Sequence, residues 1–317
     1  MDHDPAPDDA IDTSHPWLVI PYFTGDEGRA SQRPLSKITP PVISWLCPSI
    51  HVQGLHYTTP TGTYLPDEPL EISVKVDNRG VPNAYVKLRI YWSDPATGFA
   101  NPQLILSDSQ PVAGRSVLGP TAFPPMVWTP EHASIPAHFC LLAHVSCTPQ
   151  ELDPGPSASA PMSNRHWAQY NLQSAVLNGA GSNTFVFWAG NPGLEAGAYT
   201  VTAQALAEPA LQRLARTARA EPVAVRSQQF ALQRALDARA SGRSSKSHEA
   251  SVVLELRGGE RQALVLSAQD LQLGPQQFTA VEVLQTRVGQ EHEGDATGSL
   301  GVVLFGYAEQ DCQKRRR

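Results

Sequence analysis

The sequence predicts a mainly β fold of two tandem antiparallel β-sandwiches, with an extended arm before the first and a helical insertion within the second. Three observations carry this expectation. Apolar residues alternate with polar ones over several stretches, the period of two that half-buried strands require. The stretches end in turn residues, and Pro 28 plus Gly 23 supply more punctuation than a helical bundle tolerates. A length of 317 residues, at roughly 100–200 residues per domain, suits two cores better than one. The longest apolar runs, Trp17 to Tyr22 and Phe185 to Ala189, fall short of the roughly 20 residues that cross a bilayer, so no transmembrane helix is expected.

Residues 1–46 read as an extended arm, rich in Pro and Asp, whose Trp17, Ile20, Tyr22 and Trp45 pin it to the body of the protein or to a neighbouring subunit. The first sandwich occupies 47–150. Leu70, Ile72, Val74 and Val76 alternate with Glu71, Ser73, Lys75 and Asp77, and Asn78-Arg79-Gly80 closes that strand, Gly80 suiting a turn with positive φ. Ala84, Val86, Leu88, Ile90 and Trp92 form the next apolar face, with Trp92 filling space between the sheets. Weaker strands follow at 103–106, 109–112 and 126–128, the last ending in Trp128, before the strong run Phe139, Leu141, Ala143, Val145. Cys140 lies within that run as a small buried hydrophobe. Residues 151–168 read as a Pro-rich linker, and 169–310 as the second sandwich. Its strands are expected around Phe185 to Phe187 and over 200–205, 251–256, 262–267, 278–286 and 299–306, with Gly258-Gly259-Glu260-Arg261 as a hairpin turn. The insert spans about 206–248: Leu211, Leu214, Ala215 and Ala218 share a helical face, and Phe230, Leu232 and Leu236 suggest a second short helix. Residues 311–317 form a basic tail.

The net charge of -6 argues against a protein that coats nucleic acid. Between Leu211 and His248, however, eight basic residues meet two acidic ones, a local +6 that leaves -12 on the remainder. Arg213, Arg216 and Arg219 in this insert are either a solvated face or a docking patch for an anionic partner. The start, MDHDPAPDDAID, is acidic where a secretory signal is basic and then apolar, so the chain is expected in the cytoplasm or released within an assembly. Four dispersed cysteines, Cys47, Cys140, Cys147 and Cys312, make no CxxC pair.

Catalytic constellations fail on spacing. His138 and His144 would lie about 20 Å apart along a strand, too far to share a metal with Cys140. Cys147 with His144 or His166 lacks an orienting acid in sequence, and the serines have no GxSxG elbow. Asp67 with Glu68, and Glu291 with Glu293, sit in turn-like sequence, and Asp94, Asp108 and Asp153 lack a dense calcium loop. No cofactor or metal is expected. Tyr85 and Tyr91 share strand parity and would make a sugar-binding platform if both were exposed.

The set Pro48-Ser49-Ile50-His51-Val52, Val76-Asp77-Asn78-Arg79-Gly80, Val86 to Pro95, Val127-Trp128-Thr129-Pro130 and His138 to Ala143 resembles bacterial immunoglobulin-like modules of the CARDB (cell-adhesion-related) type. The resemblance spans about 100 residues, and Ala168-Gln169-Tyr170-Asn171 is similar to a strand that often follows in such proteins. It implies two immunoglobulin-like sandwiches and an adhesion, spacer or scaffold role without catalytic residues. The expected function is therefore a non-enzymatic structural or adaptor protein that binds protein partners in a larger assembly, either a homo-oligomer or a multi-subunit one. The alternatives are a carbohydrate- or cell-surface-polymer-binding adhesion module, or an accessory domain of an enzyme system.

Overall fold

The computed structural model describes residues 11–39, 41–99, 102–115, 119–151, 160–174, 184–218, 220–235, 250–268, 271–289 and 296–306. Arg219, Asp153, Glu291, Glu293, Cys312, the basic tail and the insert beyond residue 235 lie outside these.

The first sheet pair contains β1 (Leu18–Val19), β2 (Ile50–Gly54), β3 (Thr63–Tyr64), β4 (Leu70–Asn78), β5 (Ala84–Ser93), β6 (Gln103–Val112), β7 (Thr121–Ala122), β8 (Met126–Trp128), β9 (His138–Ser146) and β10 (Trp167–Ser174). In one layer β4 pairs with β1, β2, β7 and β8; the other runs β3-β10-β9-β5-β6. The alternation of the sequence becomes the facing walls of a core. Leu70, Ile72, Val74 and Val76 of β4 meet Val86, Leu88 and Ile90 of β5 and Phe139, Leu141 and Val145 of β9, each at most 1% exposed. Burial of each such side chain contributes about 1.5–3 kcal/mol. The two weaker strands expected at 103–106 and 109–112 are one continuous strand, β6, with a bulge in its pairing at Ile90/Tyr91.

β10 runs antiparallel to β9 from Trp167↔His144 to Gln173↔His138, so the boundary expected at 169 falls inside a strand of the first sheet pair. The second sheet pair follows, with β11 (Thr184–Gly190), β12 (Gly197–Ala205), helix α1 (Glu208–Ala218), β13 (Glu221–Pro222), β14 (Phe230–Arg234), β15 (Ser251–Leu256), β16 (Arg261–Ala268), β17 (Gln277–Arg287) and β18 (Ala296–Phe305). One layer is β11-β16-β14; the other is β13-β17-β12-β15, with β18 also on β17. Two expectations are corrected. Phe230 and Leu232 lie not on a helix but on β14, where spacing by two puts both on the buried face and β16 supplies the hydrogen bonds. The Gly258-Gly259 turn is not a hairpin, because β15 pairs with β12 whereas β16 pairs with β11 and β14; it carries the chain from one layer to the other.

The arm is part of the fold. β1 pairs with β4 at Leu18↔Asn78 and Val19↔Asp77, and Leu18, Ile20, Tyr22, Leu35 and Trp45 are buried in the first core. Gly80 is a glycine for a reason other than the expected positive φ, which it does not have. A Cβ there would lie 1.9 Å from the His15 carbonyl oxygen, so the arm passes where a side chain would stand. Inside the arm, Arg33 forks onto both oxygens of the buried Asp26 at 3.0 Å, and Asp26 accepts from the Tyr22 amide. This is the paired and bonded geometry that a buried charge requires.

Candidate functional site

Part of the outer face of the β3-β10-β9-β5-β6 layer is covered by the second sheet pair. Cys140, Leu142, Tyr91 and Trp167 enter the second hydrophobic cluster beside Phe187, Tyr199 and Val283. Between them runs a polar ladder. On β10, Gln169, Asn171 and Gln173 donate side-chain amides to the carbonyls of Ser299, Gly301 and Val303 on β18, at 2.9, 3.3 and 2.7 Å. Both strands advance by two, so alternate carbonyls along β18 are taken in register. Gly301 is required here because a Cβ would strike the Trp45 ring at 1.9 Å. At the other end Thr97 bonds Gln285, Gln285 bonds the Gly190 carbonyl, and Arg261 bridges to Asp94 while lying 4.6 Å over the Trp188 ring.

This junction decides where the sequence-derived candidates lie. Tyr85 is 66% exposed but Tyr91 only 5%, tilted against Trp167 at 5.7 Å. They occupy the same face of β5, yet the second sheet pair covers one end of it, so they make no common sugar platform. Trp17 is partly buried: its indole donates to the Glu27 carbonyl, and Arg165 lies 3.6 Å over its ring. The Tyr22 hydroxyl accepts from the Gln169 amide, inside the fold rather than on a surface. Arg213 donates to the Pro41 carbonyl and ties α1 to the arm, while Arg216 is exposed. Trp92 is half-buried against the first core, Trp128 stands edge-on to Phe139 at 5.6 Å, and Cys140 is fully buried, its thiol pushed up to about 12 by burial.

Two polar clusters were not assembled by sequence reasoning. In the first, Glu151 accepts from the Leu18 amide at 3.1 Å, from Arg165 at 2.5 Å and from Cys147 at 3.8 Å, with His166 Nε2 at 3.1 Å. Burial raises the Glu151 carboxyl, but its bonds to His166 and Arg165 outweigh that and hold it below its usual value. The carboxylate lies between thiol and imidazole. Burial, and then the Glu151 charge, push the Cys147 thiol up to about 12, the opposite of nucleophile activation. The cluster fastens the arm to β10.

The second is a cavity of about 270 Å³ where the arm, α1, β12 and β17 meet. Leu35, Val42, Met162, Leu206, Ala210 and Leu284 supply apolar wall, and Ser44, Gln204 and Glu282 form its polar corner. Glu282 receives Ser44 Oγ and Gln204 Nε2, each at 3.4 Å, the long end of hydrogen bonding. Burial raises its carboxyl above the usual range, opposed by the bonds from Gln204 and Ser44. Sequence could not have found it, because its parts come from Leu35 to Leu284.

No family model matches the chain, and no curated protein matches it significantly. Among solved structures it is similar to the CARDB domain of a Pyrococcus furiosus protein, crystallised in complex with di-metal ions, at 12% identity and a TM-score of 0.29 over 55% of this chain and 100% of that one. A solution structure of the same domain gives 13% identity and 0.26 over 41% and 96%. Escherichia coli alpha-2-macroglobulin activated by porcine elastase gives 11% and 0.23 over 81% and 22%. At these scores the likenesses assign neither family nor activity.

Proposed function

We propose that this chain is a non-enzymatic structural or adaptor protein, whose first sheet pair is a CARDB-type module that offers a sheet edge to an extended strand of a protein partner. The observation that supports this is β6. It stands at the end of its layer, with Leu104 56% exposed and Tyr85 of the adjacent strand 66% exposed. Natural edge strands are blunted by shortness, lysine, proline or a bulge. In β6 the bulge at Ile105 and Pro111 bracket Leu106 to Gln110, a stretch without lysine that is long enough for β-augmentation. β18, also ten residues long, has alternate carbonyls occupied by the β10 ladder instead.

The test is gatekeeping by charge. In the double variant Leu104→Lys, Ser107→Lys, both positions being exposed, folding stability stays within about 0.5 kcal/mol of wild type. Self-association by light scattering, or partner retention on an affinity column, is expected to fall at least tenfold. A wild-type chain that is strictly monomeric and retains no partner, or retention untouched by the lysines, refutes the reading.

A further inference from the structure

The cavity beside Glu282 has the form of a ligand site that the adaptor reading does not use. It opens where the arm, α1, β12 and β17 converge. Its volume, about 270 Å³, lies just under the range of drug-sized pockets and suits a fragment. Its walls are aliphatic from Leu35, Val42, Leu206 and Leu284, while a single carboxyl group marks one corner. A carboxylate has about four acceptor sites. The 3.4 Å bonds from Ser44 and Gln204 occupy two of them weakly. Glu282 lines the cavity, in surroundings where an unpaired carboxylate is costly.

We propose that this cavity binds a primary ammonium group carried on a short apolar stem, with Glu282 as its counter-ion and the aliphatic wall holding the stem. A charge-assisted bond to Glu282 supplies orientation, and the burial of methylenes supplies affinity at about 0.8 kcal/mol each. Free alkylamines and lysine side chains share this chemistry. The stem-and-head form of lysine, apolar along its length and charged at its tip, matches the division of the walls.

The test is an amide-resolved NMR titration of the full chain with n-hexylamine, 1-hexanol and hexanoate. n-Hexylamine is expected to shift the amides of Leu206, Ala210 and Leu284 saturably, at least tenfold more tightly than 1-hexanol, with hexanoate silent. Glu282→Gln, which keeps the side-chain shape, is expected to lower amine affinity at least tenfold; if it does not fold, Glu282→Asp serves, with an intermediate loss. Nα-acetyl-lysine amide against its Nε-acetylated form separates the two sources: binding of the first alone points to a protein lysine, and hexylamine binding without it points to a free amine. Absence of hexylamine binding, equal binding of 1-hexanol, binding of hexanoate instead, or amine affinity unchanged in both Glu282 variants overturns the proposal.

Discussion

At the scale of single residues, Glu151 joins the arm to the first sheet pair. It takes the Leu18 amide, Arg165 and His166 together while only 8% exposed. Its folded-state pKa is lowered from 4.5. The unfolded state therefore binds more protons in the window just below 4.5, and the stabilisation is present above that value and lost as pH falls through the folded pKa. Glu151→Gln is expected to cost about 1–3 kcal/mol at neutral pH by leaving charged donors without their acceptor. The gap between variant and wild type in urea denaturation should close as pH falls below 4.5. A gap that stays constant down to acid pH means the carboxylate charge is not what holds the arm.

At the scale of elements, legibility in the sequence followed how many faces a strand buries. β4 and β5 keep polar residues on one face, so Leu70 to Val76 and Val86 to Ile90 announce themselves by alternation. β10 buries both faces. Gln169, Asn171 and Gln173 are polar yet at most 9% exposed, so a reading that takes polar as outward has no access to the ladder; the Ala168-Gln169-Tyr170-Asn171 resemblance marked the strand without its reason. The same covering turned Tyr91 from a surface candidate into a buried one, and composition rich in Ala, Leu, Gln and Arg disguised β14 as a helix. Because the ladder donates to buried strand carbonyls, Asn171→Ala should leave the Gly301 carbonyl unsatisfied at about 1–3 kcal/mol. The triple change Gln169→Ala, Asn171→Ala, Gln173→Ala is expected to split one cooperative thermal transition into two, read by calorimetry. A single unbroken transition in the triple variant would show that apolar burial alone couples the sheet pairs.

At the scale of the whole molecule, the two hydrophobic clusters do not divide at a linker. The first includes Phe278, Ala280 and Val303 together with α1, and the second includes Tyr91, Cys140, Leu142 and Trp167. The arm packs in the first cluster and reaches the second sheet pair from there: Trp45 packs on Gly301, Leu35 reaches the α1 cavity, and Leu18 and Ile20 complete the first core. An arm that served only to recruit a partner would be removable. Leu18, Ile20, Tyr22 and Leu35, each at most 3% exposed, represent about 1.5–3 kcal/mol apiece, together on the order of 6–12 kcal/mol. That rivals the roughly 5–15 kcal/mol by which a whole domain is stable. Deletion of residues 1–46 is therefore expected to abolish the cooperative near-ultraviolet transition and to make the remainder protease-sensitive. A truncated chain that keeps a cooperative transition within about 2 kcal/mol of wild type would place the arm outside the folding unit and return it to partner recruitment alone.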